Sequence, residues 1–197
     1  MKIVVFGASG RTGRKVIEQA LERGHDVTAF VRDASRFGVS HERLEVVEGD
    51  ARDPEAVTGA VRGCDAVISV LALMKAEDEP EYSEATRAIV GAAERENVRR
   101  LLITANNNVF GDAEVTGEFA AHAREHRRNR DTLETSGLDW TIGAAPWVVD
   151  DPAVGSYQTA IDAKAAGRKI TTGDFATFVL DALERDDWIG HIVGVSN

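Results

Sequence analysis

A chain of 197 residues has room for one globular domain of ordinary size and leaves none for a separate large substrate domain. Hydrophobic residues at 43% and charged residues at 28% exclude a disordered chain. With 23 basic against 33 acidic residues the net charge is −10, which argues against general attraction to nucleic acid or an anionic membrane, and the single cysteine, Cys64, excludes an internal disulfide or a thiolate-rich metal cluster.

The opening residues MKIVVFGASG run into a strand-like segment with no apolar stretch of ~18 residues. The chain is therefore expected to be soluble, to begin at its first structural element and to work in a reducing cytoplasm. Residues 2–6 form a nearly continuous apolar run ending at glycine, the pattern of a parallel strand covered on both faces. A helix is predicted at 12–23, with Val16, Ile17, Ala20 and Leu21 on one face and Gly24 in the C-terminal cap position. Strands follow at Val27–Val31 and Leu44–Val47, then a helix at 54–62 with Pro54 in its first turn, and a strand at Ala66–Leu73. The acidic stretch Glu77 to Glu81 reads as a solvated loop.

Next come a helix at 81–97, a strand at Leu101–Thr104, a polar helix at 117–136 and a strand at Trp140–Ile142. An irregular stretch surrounds Pro146 and Pro152. The last helix carries Phe175, Phe178, Val179, Ala182 and Leu183 at helical spacing, with Thr171 and Asp174 as a capping pair, and a strand at His191–Val195 closes the chain. This alternation predicts an α/β chain: a single doubly wound, Rossmann-type domain over 1–197, mostly parallel in its sheet, with a small substrate-facing C-terminal part.

Between the first strand and the first helix stands Gly7-Ala8-Ser9-Gly10-Arg11-Thr12-Gly13, a G-x-x-G-x-x-G string. Glycines there permit a tight turn and close approach of a pyrophosphate to the free N–H groups of a helix N-terminus. A glycine-rich turn without a ligand is the bland alternative, and the strand before and helix after argue against it. Where an acidic residue at the end of the second strand would bind a ribose 2′-hydroxyl, this chain has Arg32 followed by Asp33. Arg32 and Arg11 as a clamp on a 2′-phosphate favour NADP(H) over NAD(H), with Asp33 as the counter-indication.

The strings VVFGASGRTG, FVRD, Gly49-Asp50-Ala51, Ser136-Gly137-Leu138-Asp139-Trp140-Thr141-Ile142 and Thr171-Thr172-Gly173-Asp174-Phe175-Ala176 resemble the atypical short-chain dehydrogenase/reductases. Within them the chain is most similar to the compact NmrA-like and flavin reductase/biliverdin reductase B proteins. The resemblance implies cofactor contacts from Gly7, Ser9, Gly10, Arg11, Thr12, Gly13 and Arg32. It sets Asp50 and Ala51 against the adenine, Ser69, Val70 and Leu71 along the ribose and phosphate, and Thr104 and Pro146 beside the nicotinamide.

Carbonyl-reducing members use a tyrosine four positions before a lysine to supply the alkoxide's proton. Here Tyr82 is followed at that spacing by Thr86 and Tyr157 by Ile161, and the serine expected after the fifth strand is replaced in Thr104-Ala105-Asn106-Asn107-Asn108. Two readings stand. In one, NADPH reduces a flavin, quinone or similar conjugated acceptor that needs mainly to be positioned. In the other, the chain is a non-catalytic NADP(H) sensor acting on a partner, as the NmrA-like resemblance implies.

For the enzyme reading the expected acceptor pocket comprises Asn106, Asn107, His126 and Trp147. The asparagine amides would bond the acceptor, Trp147 would stack on it, and His126 is the candidate proton donor. The three asparagines are equally a turn. His122-Ala123-Arg124-Glu125-His126 matches a zinc-protease pattern, but with no further ligand in view no metal is expected. Arg124, Arg127, Arg128 and Arg130 read either as a solvated face or as an attractor of an anionic acceptor. That charged helix lacks the apolar stripe of a dimer interface, so a monomer is expected.

Overall fold

The computed structural model describes residues 1–72, 81–111 and 120–197. In chain order the elements are β1 (Lys2–Phe6), α1 (Arg11–Glu22), β2 (Asp26–Val31), β3 (Leu44–Glu48), α2 (Pro54–Val61), β4 (Ala66–Ser69), α3 (Glu81–Arg95), β5 (Arg100–Asn106), α4 (Ala120–Glu134), β6 (Asp139–Ala145), β7 (Trp147–Val149), β8 (Gln158–Ile161), β9 (Lys169–Thr171), α5 (Thr172–Asp181) and β10 (His191–Ser196). Short 3-10 turns follow β2 at Ala34–Arg36 and β5 at Asn107–Val109.

Eight strands form one sheet in the order β3-β2-β1-β4-β5-β6-β10-β8, every neighbouring pair parallel except β10 with β8. This is the doubly wound Rossmann arrangement. Its alternation of side chains builds two apolar layers. On one face Ile3 and Val5 of β1 pack with Val16, Ile17 and Ala20 of α1 and Phe175, Phe178 and Val179 of α5. On the other, Val4 and Phe6 pack with Val57 and Val61 of α2, Ile89 of α3 and Leu133 of α4. A strand covered on both faces has no polar position to spare, which is why β1 is continuously apolar from Ile3 to Phe6.

The chain leaves β1 toward β2 and β3 on one side, then crosses to β4 on the other. That reversal opens a crevice beyond the carboxyl ends of β1 and β4, where ligands of such sheets bind. β4 stops at Ser69, short of its predicted end, and Leu73 lies outside the described residues, as do 117–119 of the predicted fourth helix and all of Glu77 to Glu81 except Glu81. The stretch predicted as irregular contains β7, β8 and β9. β7 pairs with β9 in a separate two-stranded sheet, and β8 adds the antiparallel edge to the main sheet.

Candidate functional site

The glycine loop sits at the crevice. Gly7 turns the chain at φ +80°, and a Cβ there would lie 2.8 Å from the Val70 carbonyl oxygen. Gly10 N–H donates to the Gly7 carbonyl at 3.0 Å and closes the turn. Gly13 is in the first turn of α1, where a Cβ would come within 2.2 Å of the Gly7 carbonyl oxygen, so any side chain separates helix from loop. Gly10 has ordinary extended dihedrals, and its Cβ would meet only the Gly7 carbonyl, at 3.2 Å. It is the N-cap of α1 with no side-chain cap, and no acidic residue occupies the first turn, which Arg11 and Thr12 begin.

The first N–H groups of α1 thus face an exposed loop of Ser9, Gly10 and Arg11 with the helix dipole unanswered. Beside the loop, at the end of β4, the Ser69 hydroxyl is buried without a partner among the described residues. These features fit the diphosphate of a dinucleotide. Val70 and Leu71 continue the rim half-buried.

At the end of β2 the chain exposes Arg32. Asp33, read in sequence as a rival for the ribose, turns its carboxylate back onto Ser35, accepting from its N–H at 3.0 Å and its hydroxyl at 2.6 Å. The expected convergence of Arg11 on Arg32 does not form: Arg11 Nη1 donates to Asp150 Oδ2 at 2.8 Å, toward the start of α5. The loop-side arginine that reaches the β2 turn is Arg14, whose guanidinium donates to the Ser9 carbonyl at 3.2 Å and the Phe37 carbonyl at 2.9 Å. Arg36 is exposed at the end of the same turn, four positions after Arg32. Both were legible as arginines close after the last glycine and after β2.

Beyond β3, Asp50 is gripped by Arg52 through Nη2 at 2.6 Å and Nε at 3.0 Å, and hydrogen bonding to Arg52 holds its carboxyl down at about 2. Ala51 packs half-buried on the apolar layer below. Two surface depressions lie apart from the loop, about 380 Å³ between α2 and α3 and about 420 Å³ between α1 and the β2 turn.

The far side of the crevice is formed by the ends of β5 and β6. Thr104 is 8% exposed, and its carbonyl accepts from the buried Tyr82 hydroxyl at 2.8 Å. Asn106 Oδ1 accepts from Asn108 N–H at 2.9 Å, so its side chain caps the turn. Asn107 Oδ1 is buried without a partner among the described residues. Pro146 leads into β7, and Trp147 stands 70% exposed.

His126 differs most from its expected place. It is 7% exposed, its Nε2 accepts from Asn106 N–H at 3.4 Å, and its ring meets Tyr82 edge-on at 5.6 Å. Burial, with a smaller push from His122, lowers its pKa to about 4. It is neutral at pH 7 and supports β5 from behind, so it carries no imidazolium proton to pass to an acceptor. The reason is a polar helix with a buried seam: Ala121, Glu125, His126, Asn129 and Leu133 of α4 face inward. Glu125, fully buried, accepts from Ser83 N–H at 2.7 Å and Arg128 at 2.6 Å, which commits the glutamate of the zinc-like pattern. Among the described residues no three His, Cys, Asp or Glu side chains converge as a metal site. Arg130 lies near Asp131 and Glu134, so this part of the basic run has acidic neighbours on its own helix.

Residues 7–186 match the family model described as NAD(P)H-binding. The chain belongs to that family. This NAD(P)H-binding chain is 30% identical to the Bacillus subtilis protein YwnB over 206 residues, covering 95% of this chain and 94% of that one. It is 26% identical to the NAD(P)H azoreductase of Xenophilus azovorans over 142 residues, which cover 71% of this chain and 46% of that longer enzyme. Among solved structures, a Streptococcus pneumoniae protein assigned as an NADH-flavin reductase superposes with TM-score 0.85 at 22% identity, covering 100% of this chain and 99% of that one. A Veillonella parvula short-chain dehydrogenase/reductase solved with NADP gives 0.83 at 20% identity, covering 100% and 94%. At these identities the structures share the fold, and the atypical short-chain dehydrogenase/reductase resemblance of the NAD(P)H-binding chain holds. Among the described residues no helix is long and apolar enough to cross a membrane.

Proposed function

We propose that this chain uses NADPH to reduce a flavin, quinone or similar conjugated small molecule. The observation that carries the reading is the uncapped N-terminus of α1 on its glycine turn, with Arg32 and Arg36 exposed at the neighbouring strand end. The first binds the diphosphate. The two arginines, which make no ion pair among the described residues, favour a ribose 2′-phosphate over a hydroxyl, while Asp33 is occupied in its own turn. When bound, the nicotinamide supplies the hydride.

The chain's own part is to orient. Pro146 and the backbone of Thr104 flank the ring position, Trp147 offers an exposed aromatic face for a flat acceptor, and Asn107 offers an amide. Solvent supplies the proton, since a conjugated acceptor spreads the developing charge. The reductase and azoreductase names among the relatives support this class of acceptor. A redox-sensor role is the second reading, favoured by the burial of Tyr82 and His126 away from the mouth. Measuring NADPH oxidation with riboflavin, FMN, quinones and azo dyes separates the two: turnover with one acceptor supports the enzyme, and tight NADPH binding without turnover on any of them supports the sensor.

A further inference from the structure

We propose that Arg14 is a positioning residue for cofactor discrimination, bridging the diphosphate loop to the turn that carries Arg32 and Arg36. The inference rests on the NADP(H) reading above. Its Nε donates to the carbonyl of Ser9 in the glycine loop, and its Nη1 to the carbonyl of Phe37, the residue after Arg36. Both acceptors are main-chain atoms, so the bridge holds backbone to backbone. The guanidinium carbon also sits 5.2 Å from the centre of the Phe37 ring, which is only 2% exposed and anchors the plane.

Two N–H vectors leaving one rigid plane can join carbonyls on different segments, which a single ammonium on a flexible stem cannot do. The turn itself has a short leash: Asp33 caps it and Glu48 Oε2 accepts from Ala34 N–H at 2.8 Å. Those bonds secure its start; only Arg14 among the hydrogen bonds described ties its far end to the glycine loop. The separation between the diphosphate cradle and the turn that carries Arg32 and Arg36 is then set by Arg14, and a 2′-phosphate depends on that separation where a 2′-hydroxyl does not.

The test is titration of the full chain with NADPH and with NADH, for the parent, Arg14→Met and Arg14→Lys, with melting curves to verify folding. Both variants are expected to weaken NADPH about tenfold and to leave NADH within about twofold, a differential of the size of one charged hydrogen bond. Equal weakening of both cofactors overturns the inference, because Arg14 then maintains only the glycine loop. Full NADPH affinity in Arg14→Lys overturns it too, because charge and not the bridge is then sufficient. A parent that prefers NADPH and keeps that preference in both variants sinks this inference alone. A parent that binds the two cofactors equally sinks the NADP(H) reading and this inference with it.

Discussion

Arg11 and Asp150, 139 positions apart in the chain, meet at 2.8 Å and join the glycine loop to the start of α5. Asp150 also accepts from the Thr172 hydroxyl at 2.7 Å, so the carboxylate is fixed and the exposed arginine comes to it. The Arg11 guanidinium, followed by that hydroxyl, holds the Asp150 carboxyl below the usual carboxylate range. On the proposed cofactor reading, a carboxylate beside the loop would compete with the diphosphate for Arg11.

Asp150→Asn is therefore expected to tighten NADPH and NADH by the same factor, up to about fivefold, as an exposed ion pair is worth up to about 1 kcal/mol. The gain should shrink at high salt. Isothermal titration with both cofactors checks it; weaker binding, or a gain confined to NADPH, would show that the pair instead holds the loop in shape.

Arg32→Glu should act on one cofactor only. Losing a charged hydrogen bond to a 2′-phosphate costs ~1.5 to 3 kcal/mol, so NADPH is expected to weaken at least tenfold while NADH holds or improves. Fluorescence titration of the reduced nicotinamides reads both, and an unchanged ratio of affinities would place the discriminating charge elsewhere.

Gly10 and Gly13 look alike in the motif and differ in the fold. Gly13→Ala drives a methyl to within 2.2 Å of the Gly7 carbonyl and should lower stability by at least ~1 to 3 kcal/mol without any ligand. Gly10→Ala meets one contact at 3.2 Å and should melt close to the parent, yet lose the rise in melting temperature that NADPH confers. Melting curves with and without cofactor distinguish them, and a Gly10→Ala protein stabilised by NADPH like the parent removes the loop from the cofactor site.

Periodicity carried seven strands of the main sheet and the placement of all five helices, because strands buried on both faces must be apolar throughout, as Ile3 to Phe6 are. The three strands around Pro146 and Pro152 escaped it: Trp147–Val149 and Lys169–Thr171 are three residues long, and β8 is exposed on its edge, so none imposes an apolar run. Within the site the glycine spacing was legible and the direction of each arginine was not. Arg11 and Arg14 lie on one helical turn, and only the tertiary neighbours, Asp150 for one and Phe37 for the other, decide where each guanidinium points. His126 misled because its neighbours in sequence are charged, while its neighbours in space are Tyr82 and β5.

That burial has a pH signature. In the folded chain His126 titrates at about 4, against 6.5 for a free side chain, and desolvation is the main cause. The folded state therefore binds fewer protons than the unfolded one over this interval. Above pH 6.5 both forms are neutral and the full stability is present. As pH falls from 6.5 toward 4 the unfolded chain takes up a proton that the folded chain refuses, and stability drops by on the order of 3 kcal/mol. Asp50, held at about 2, and Asp174, also held low, withdraw their contributions only below the ordinary carboxylate value of 3.8. The first loss belongs to histidine, the second to carboxylates. Urea unfolding at intervals from pH 7.5 to 4 should show the earlier fall in the parent and a shallower one in His126→Gln, whose amide can still accept from Asn106 N–H but cannot titrate. His25, more weakly lowered, contributes equally to both proteins and cancels in the comparison. The same variant should keep its NADPH oxidation rate at neutral pH with whichever acceptor serves the parent. Parallel stability profiles would remove His126 from the acid response, and a rate lost at unchanged stability would return the proton to its imidazole.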